Sequence, residues 1–189
     1  MKRRSVGVTI MRLLGSLAEV SAKPALTEMQ SICPGPAEYR EVWSVADLQG
    51  ITVSMLADNS PDLKYRQCAD IELPAAGFFP IGRHPNGQIV SGGFRGEYLG
   101  QGFRISGQRP VAGVNERFGL FRELTGARIS NLHIENTQYV GTDSAGALAS
   151  TITGATLEDL TLTNIAVRST NEQAGALAGS ISGSSLNRI

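Results

Sequence analysis

The last third of this 189-residue chain repeats itself every 28 to 29 residues. Shifted by 28, Leu120 falls on Leu148, Leu124 on Ile152, Gly126 on Gly154, Ile129 on Leu157, Leu132 on Leu160 and Asn136 on Asn164. Shifted by 29, Leu148 falls on Leu177, Gly154 on Gly183, Leu157 on Leu186 and Leu160 on Ile189. The extra residue fits the polar stretch 168–173 against 140–144, where a loop absorbs it. Such self-similarity means stacked units, none of which can bury its apolar face alone.

Within one repeat the pattern is strand-like. Leu160 and Leu162 alternate, Asn164 interrupts, and Ile165 and Val167 alternate again. The Gly-Ala-Leu-Ala segments 146–149 and 175–178 read as a third strand. Three short strands in so few residues make one coil of a β-solenoid. Equivalent residues of successive coils then stack about 4.8 Å apart. Asn136 over Asn164 predicts an amide ladder at a corner, and Asn tolerates the left-handed backbone a corner needs. Gly126, Gly154 and Gly183 read as turns. A helical repeat of about 33–34 residues is too long to fit, and Thr151–Gly154 and Thr161–Thr163 are poor helix. Composition agrees: glycine is 22 of 189 and aromatics are 6%, which suits tight turns between short strands.

Upstream the repeat is weaker. Phe103 and Ile105 precede Leu132 and Ile134 by 29 residues. Lys64–Leu73 and Phe94–Tyr98 alternate and each read as a strand. His84-Pro85-Asn86-Gly87 reads as a turn. Ser44 followed by Asp47 resembles a capping box, with Val45, Leu48 and Ile51 on one face, so a short helix is expected at about 45–52.

Residues 1–40 are read as a leader or irregular segment and 41–189 as the β-helix domain, with repeats clearest at 117–144, 145–173 and 174–189. The leader has two readings. Lys2, Arg3 and Arg4 with Val20-Ser21-Ala22 resemble a signal peptide, but Arg12 and Glu19 cut its apolar stretch short. Ile10, Leu13, Leu14, Leu17 and Val20 otherwise form one face of an amphipathic helix. Cys33 and Cys68 are a disulfide if the protein is exported and two buried thiols if it is cytosolic. The chain stops in mid-coil, so it is expected to belong to a longer protein.

Net charge is zero, with 17 basic and 17 acidic residues, so nothing argues for nucleic acid or an anionic membrane. No apolar run reaches the roughly 20 residues of a transmembrane helix. No Cys/His cluster suggests a metal, and no cofactor motif is present. Glu158-Asp159 is the one acidic pair in the repeats, and its counterparts Ser130-Asn131 and Asn187-Arg188 are not acidic. No catalytic residue is therefore assigned. Glu135, Asp143, His84 and His133 read as solvated side chains.

Certain runs also resemble a known family: Asp70-Ile71-Glu72-Leu73, Phe79-Pro80-Ile81-Gly82, Phe94–Ile105, Phe118–Phe121 and Gly126–Leu132. Their order is similar to that of the GLUG-motif, filamentous-haemagglutinin-like right-handed parallel β-helices of bacterial surface and secreted proteins. Leu99 and Gln101 depart from its usual Asp-Gly-Asn-Gly corner. The resemblance implies an all-β, right-handed parallel β-helix with a short N-terminal capping helix. It also implies a surface or secreted location and a role as adhesin or stalk. Expected partners are surface glycans, host or other cell-surface proteins, and further repeats of the same chain. The alternative is part of a polysaccharide lyase or glycoside hydrolase whose catalytic coils lie elsewhere.

Overall fold

A computed structural model describes residues 33, 35–74, 78–109 and 117–189. The described residues form a right-handed parallel β-helix of about five stacked coils with one helix. The chain opens with strand β1 (Arg40–Val42) and helix α1 (Val45–Ala57). Short strands follow: β2 (Lys64–Gln67), β3 (Ile71–Glu72), β4 (Glu97–Leu99) and β5 (Arg104–Ser106). The regular part comprises β6 (Phe121–Thr125), β7 (Arg128–Gly141), β8 (Ala149–Thr153), β9 (Thr156–Ser169), β10 (Ala178–Ser182) and β11 (Ser185–Asn187).

Three faces run along the stack. On the first, β1, β2, β4, the start of β7, the start of β9 and β11 pair in parallel, with Tyr65, Tyr98, Ile129, Leu157 and Leu186 at one register position. The second carries β3, β5 and the middles of β7 and β9, with Ile71, Ile105, Ile134 and Leu162 aligned. The third is β6–β8–β10, prolonged one coil towards the N-terminus by the bridges Ile81–Phe121 and Phe94–Leu124. Every neighbour comes from the next turn of chain, so the connections are the coils themselves.

The corners explain the inward pattern. A strand alternates sides at every residue. One residue in the left-handed conformation breaks that alternation and turns the chain. Asn131 and Asn136 do so in β7 (φ 51 and 55), and Asp159 and Asn164 in β9 (φ 53 and 53). The buried residues are consequently Ile129, Leu132, Ile134, Thr137 and Tyr139. The three-residue step from Leu157 to Leu160 thus marks a second corner at Asp159, besides the expected one at Asn164. The third strand also differs from expectation. Gly146–Leu148 is turn, and the strand begins at Ala149.

The upstream strands are shorter than their alternation suggests. Lys64–Leu73 divides into β2 and β3, because the chain turns at Cys68–Asp70. Phe94 pairs on the third face while Glu97–Leu99 lies on the first, so Phe94–Tyr98 bends between two faces. Between them Gly82–Gly93 leaves the coil as an excursion, closed by an antiparallel Arg83–Ile89 bridge around the turn at His84–Gly87.

Helix α1 closes the N-terminal end. Ser44 Oγ accepts from the Asp47 N–H, and Asp47 Oδ2 accepts from the Trp43 N–H, one residue before the position a capping box uses. The helix runs to Ala57, past the expected 52, because Met55 continues the buried stripe of Leu48, Ile51 and Thr52. Those side chains cover the aromatic end of the core, where Phe94 and Phe121 centroids lie 5.1 Å apart and Tyr98 and Phe121 5.9 Å apart. A second, smaller apolar cluster stacks Phe118 on Tyr139 at 4.7 Å beside Ala145, with Val167 against it.

The first strand begins at Arg40, the last residue of the expected leader, and Cys33 and Tyr39 already touch the coils. The signal-peptide and amphipathic-helix readings both fall on residues 1–32, outside the described ones.

Candidate functional site

The residues singled out in the sequence are spread along the rod. Cys33 and Cys68 form a disulfide with Cα atoms 5.1 Å apart, both buried. It ties the segment before β1 to the corner after β2. Around it, the Arg66 guanidinium donates to Glu41 (2.6 Å) and to the Pro36 carbonyl (2.9 Å). That donation holds the Glu41 carboxyl below its usual range, with Trp43 Nε1 helping. Cys33, Glu41 and Cys68 place ligand-type atoms within 4.8 Å of one another. Both sulfurs are spent in the disulfide, so the trio does not bind a metal in this state.

Gly126, Gly154 and Gly183 stack at one turn with φ 64, 62 and 59. A side chain there would meet open space, so the left-handed backbone, not crowding, favours glycine. At the other predicted ladder Asn164 Nδ2 donates to Asn136 Oδ1 at 2.7 Å. His133 lies opposite Thr161 in register and contacts Thr163 Oγ1 at 3.1 Å. His84 Nδ1 accepts from the Asn86 N–H in its turn.

The acidic pair Glu158-Asp159 is pulled in two directions. Glu158 is bound by Arg128 of the coil below (2.6 Å), and Asp159 is bound bidentately by Arg188 of the coil above. The Arg188 hydrogen bonds lower the Asp159 carboxyl below its ordinary value. The same device recurs. Arg104 grips Asp70 (2.8 Å) and approaches Glu135 (4.0 Å), and Lys64 approaches Glu97 (3.9 Å). Tyr39 donates to Glu97, and that bond pushes its phenol up to about 12. Acids and bases alternate from coil to coil, so the faces neutralise themselves.

One groove departs from this pattern. It follows the corner at Asn136 and Asn164, encloses about 470 Å³, and is lined by Glu72, Ser106, Arg109, Gln138 and both asparagines. These residues come from β3, β5 and the segment after it, β7 and β9. The groove therefore crosses four coils, about 14 Å along the axis at the usual strand spacing. Beneath it Gln108 is buried. Its amide nitrogen donates to Thr137 Oγ1 and the Ala147 carbonyl, and its oxygen accepts from the Leu120 N–H. That amide stiffens the floor. Sequence reasoning found the two asparagines but neither Glu72 nor Arg109. These two become neighbours of the asparagines through coil lengths that differ from 28 or 29.

No protein-family profile matches the chain, and no solved structure matches it. The chain is 32% identical over 165 residues to halomucin of Haloquadratum walsbyi. That stretch takes in 82% of this chain and 2% of halomucin, so the chain corresponds to a small part of that protein's length. Among the described residues no helix is long and apolar enough to cross a membrane.

Proposed function

We propose that the chain is a non-catalytic structural and adhesive module of a surface or secreted protein, related to the GLUG-motif β-helices. The observation that carries this reading is the coil-to-coil pairing of outward charges: Lys64–Glu97, Arg104–Asp70, Arg128–Glu158 and Arg188–Asp159. A hydrolase or lyase site on such a scaffold needs free carboxylates grouped across neighbouring coils. Here the pair that sequence offers is spent on arginines of opposite neighbours. Similarity to a short stretch of halomucin supports a module within a much longer protein. The buried disulfide supports an oxidising compartment.

Two measurements test the reading. Intact cells of the natural host should be labelled by an antibody to this segment without permeabilisation. Labelling that appears only after lysis overturns the surface assignment. A polysaccharide panel, with and without calcium, should show no turnover. Cleavage abolished by Glu158→Gln with Asp159→Asn would make the chain an enzyme.

A further inference from the structure

The groove gathers polar groups that the rest of the rod pairs off. Among the described residues, Glu72 and Arg109 have neither hydrogen-bond nor ion-pair partners for their side chains, unlike the laddered charges on the same faces. Gln138 is exposed and its amide makes no bond. The asparagine ladder is one bond long, Asn164 to Asn136. It leaves the Asn136 amide N–H groups aimed down the stack and the Asn164 carbonyl aimed up it. In the coil below, the corner is turned by Gly107 (φ 79), which offers no amide to extend the ladder. The groove therefore presents one acceptor charge, one donor charge and three amides with spare donors and acceptors.

We infer that this groove binds an uncharged glycan strand lying along the solenoid axis, an inference that rests on the adhesive reading above. Hydroxyl groups both donate and accept, and a row of them matches this mixture. Glu72 and Asn164 Oδ1 accept from hydroxyls; Arg109, Asn136 Nδ2 and Gln138 donate to them. An anionic glycan would set its charges against Glu72 with a single arginine in return. An extended peptide would need a sheet edge, and the strands on either side of the groove are already paired through β3, β5, β7 and β9. The coil spacing gives the ligand a periodic set of partners, and water keeps the individual bonds weak.

The test uses the whole chain, isotope-labelled, and titrates neutral hexasaccharides (malto-, cello-, manno- and chito-series) against oligogalacturonate and a heparin hexasaccharide. At least one neutral sugar should shift the side-chain amides of Asn136, Asn164 and Gln138 saturably. Arg109→Gln and Glu72→Gln should each weaken that binding about tenfold, the loss of one hydrogen bond to a charged group. Arg128→Gln, outside the groove, should leave it unchanged. Gln138→Ala alters no structural bond and keeps the test valid if a charge variant folds poorly. No shift with any neutral sugar, tighter binding of the charged sugars, or shifts mapping elsewhere would overturn the proposal. Cell binding that survives Arg109→Gln and Glu72→Gln would sink the groove yet leave the adhesive reading standing. Absence from the cell surface would sink that reading instead.

Discussion

The two ends of the rod are built on different principles. The N-terminal coils are irregular and heavily fastened. Equivalent first-face residues are Arg40 and Tyr65, then Tyr65 and Tyr98, then Tyr98 and Ile129, separations of 25, 33 and 31. They are filled by Tyr65, Phe94, Tyr98 and Phe121, roofed by α1 and clipped by the Cys33–Cys68 bond. The C-terminal coils are regular, with separations of 28 and 29, and are filled by Leu, Ile and Ala. At the last register position the core fades: Ile129 and Leu157 are 0% exposed, but Leu186 is 44% exposed. In a solenoid each coil is covered by its neighbours. Repetition thus sets the shape, while the unrepeated end holds the aromatic core, the cap and the crosslink.

The largest break in that contrast should come from the aromatic end. Phe121 packs against both Phe94 and Tyr98 at 0% exposure. Phe121→Ala should cost about 3–5 kcal/mol. Leu157→Ala, buried in the regular coils, should cost about 2–5 kcal/mol and Leu186→Ala under about 1 kcal/mol. Denaturant unfolding of the three variants measures this. Equal losses at Leu157 and Leu186 would mean that the last coil is covered after all.

Next comes the crosslink. The Cys33–Cys68 bond closes a 35-residue separation, worth roughly 3–4 kcal/mol in the chain-entropy model. A Cys33→Ser/Cys68→Ser variant should lose that much stability. Its first hydrogen-exchange losses should fall in β1 and β2 and spare β8 to β11. Uniform loss of protection along the whole rod would show that the ends fold as one cooperative unit.

The same contrast decides what could be read from sequence. The C-terminal coils were legible because each environment occurs again one period later, so Leu157 and Asn164 are interpreted by Ile129 and Asn136. The corner at Asp159 was hidden by chemistry: beside Glu158 it reads as an acid pair, whereas its backbone (φ 53) turns the chain. The turn at Cys68–Asp70 was hidden because Tyr65, Ile71 and Leu73 keep alternating through it. The groove was half legible. Its asparagines stand 28 residues apart in the repeat, but Glu72 and Arg109 reach it through coils whose lengths no period announces. The disulfide pair could be named from sequence, while its place beside Arg66 and Glu41 could not.

A smaller effect separates backbone from side chain at the ladder. Asn164 is exposed, left-handed (φ 53) and bonded to Asn136 at 2.7 Å. Asn164→Ala loses the bond and strains the corner, about 1–2 kcal/mol together. Asn164→Gly keeps the corner and should recover about half of that. Thermal melts of both would separate the terms. Equal losses would assign the whole cost to the amide bond.

The smallest expected effect is a pH dependence, and it again belongs to the fastened end. The Arg104 N–H donates to Asp70 Oδ1 at 2.8 Å and its guanidinium to Oδ2 at 2.8 Å, and the first of these does most to lower the Asp70 carboxyl. A carboxyl lowered on folding adds stability that is fully present above its unfolded value, about 3.9. That stability drains away as pH falls through the lower folded value. The Asp70 side chain is half exposed (51%), so solvent screening holds the contribution below about 1 kcal/mol. Wild type should therefore exceed Asp70→Asn in stability at neutral pH, with the gap closing as the solution is acidified below about 4. The backbone bond from Arg104 makes the gap less sensitive to salt than one from an ion pair alone. The Asp159–Arg188 pair, bridging the exposed last coil, is the comparison: its gap should shrink further in high salt. If both gaps respond to salt equally, the backbone N–H contributes nothing beyond the charge, and the two ends differ in packing but not in electrostatics.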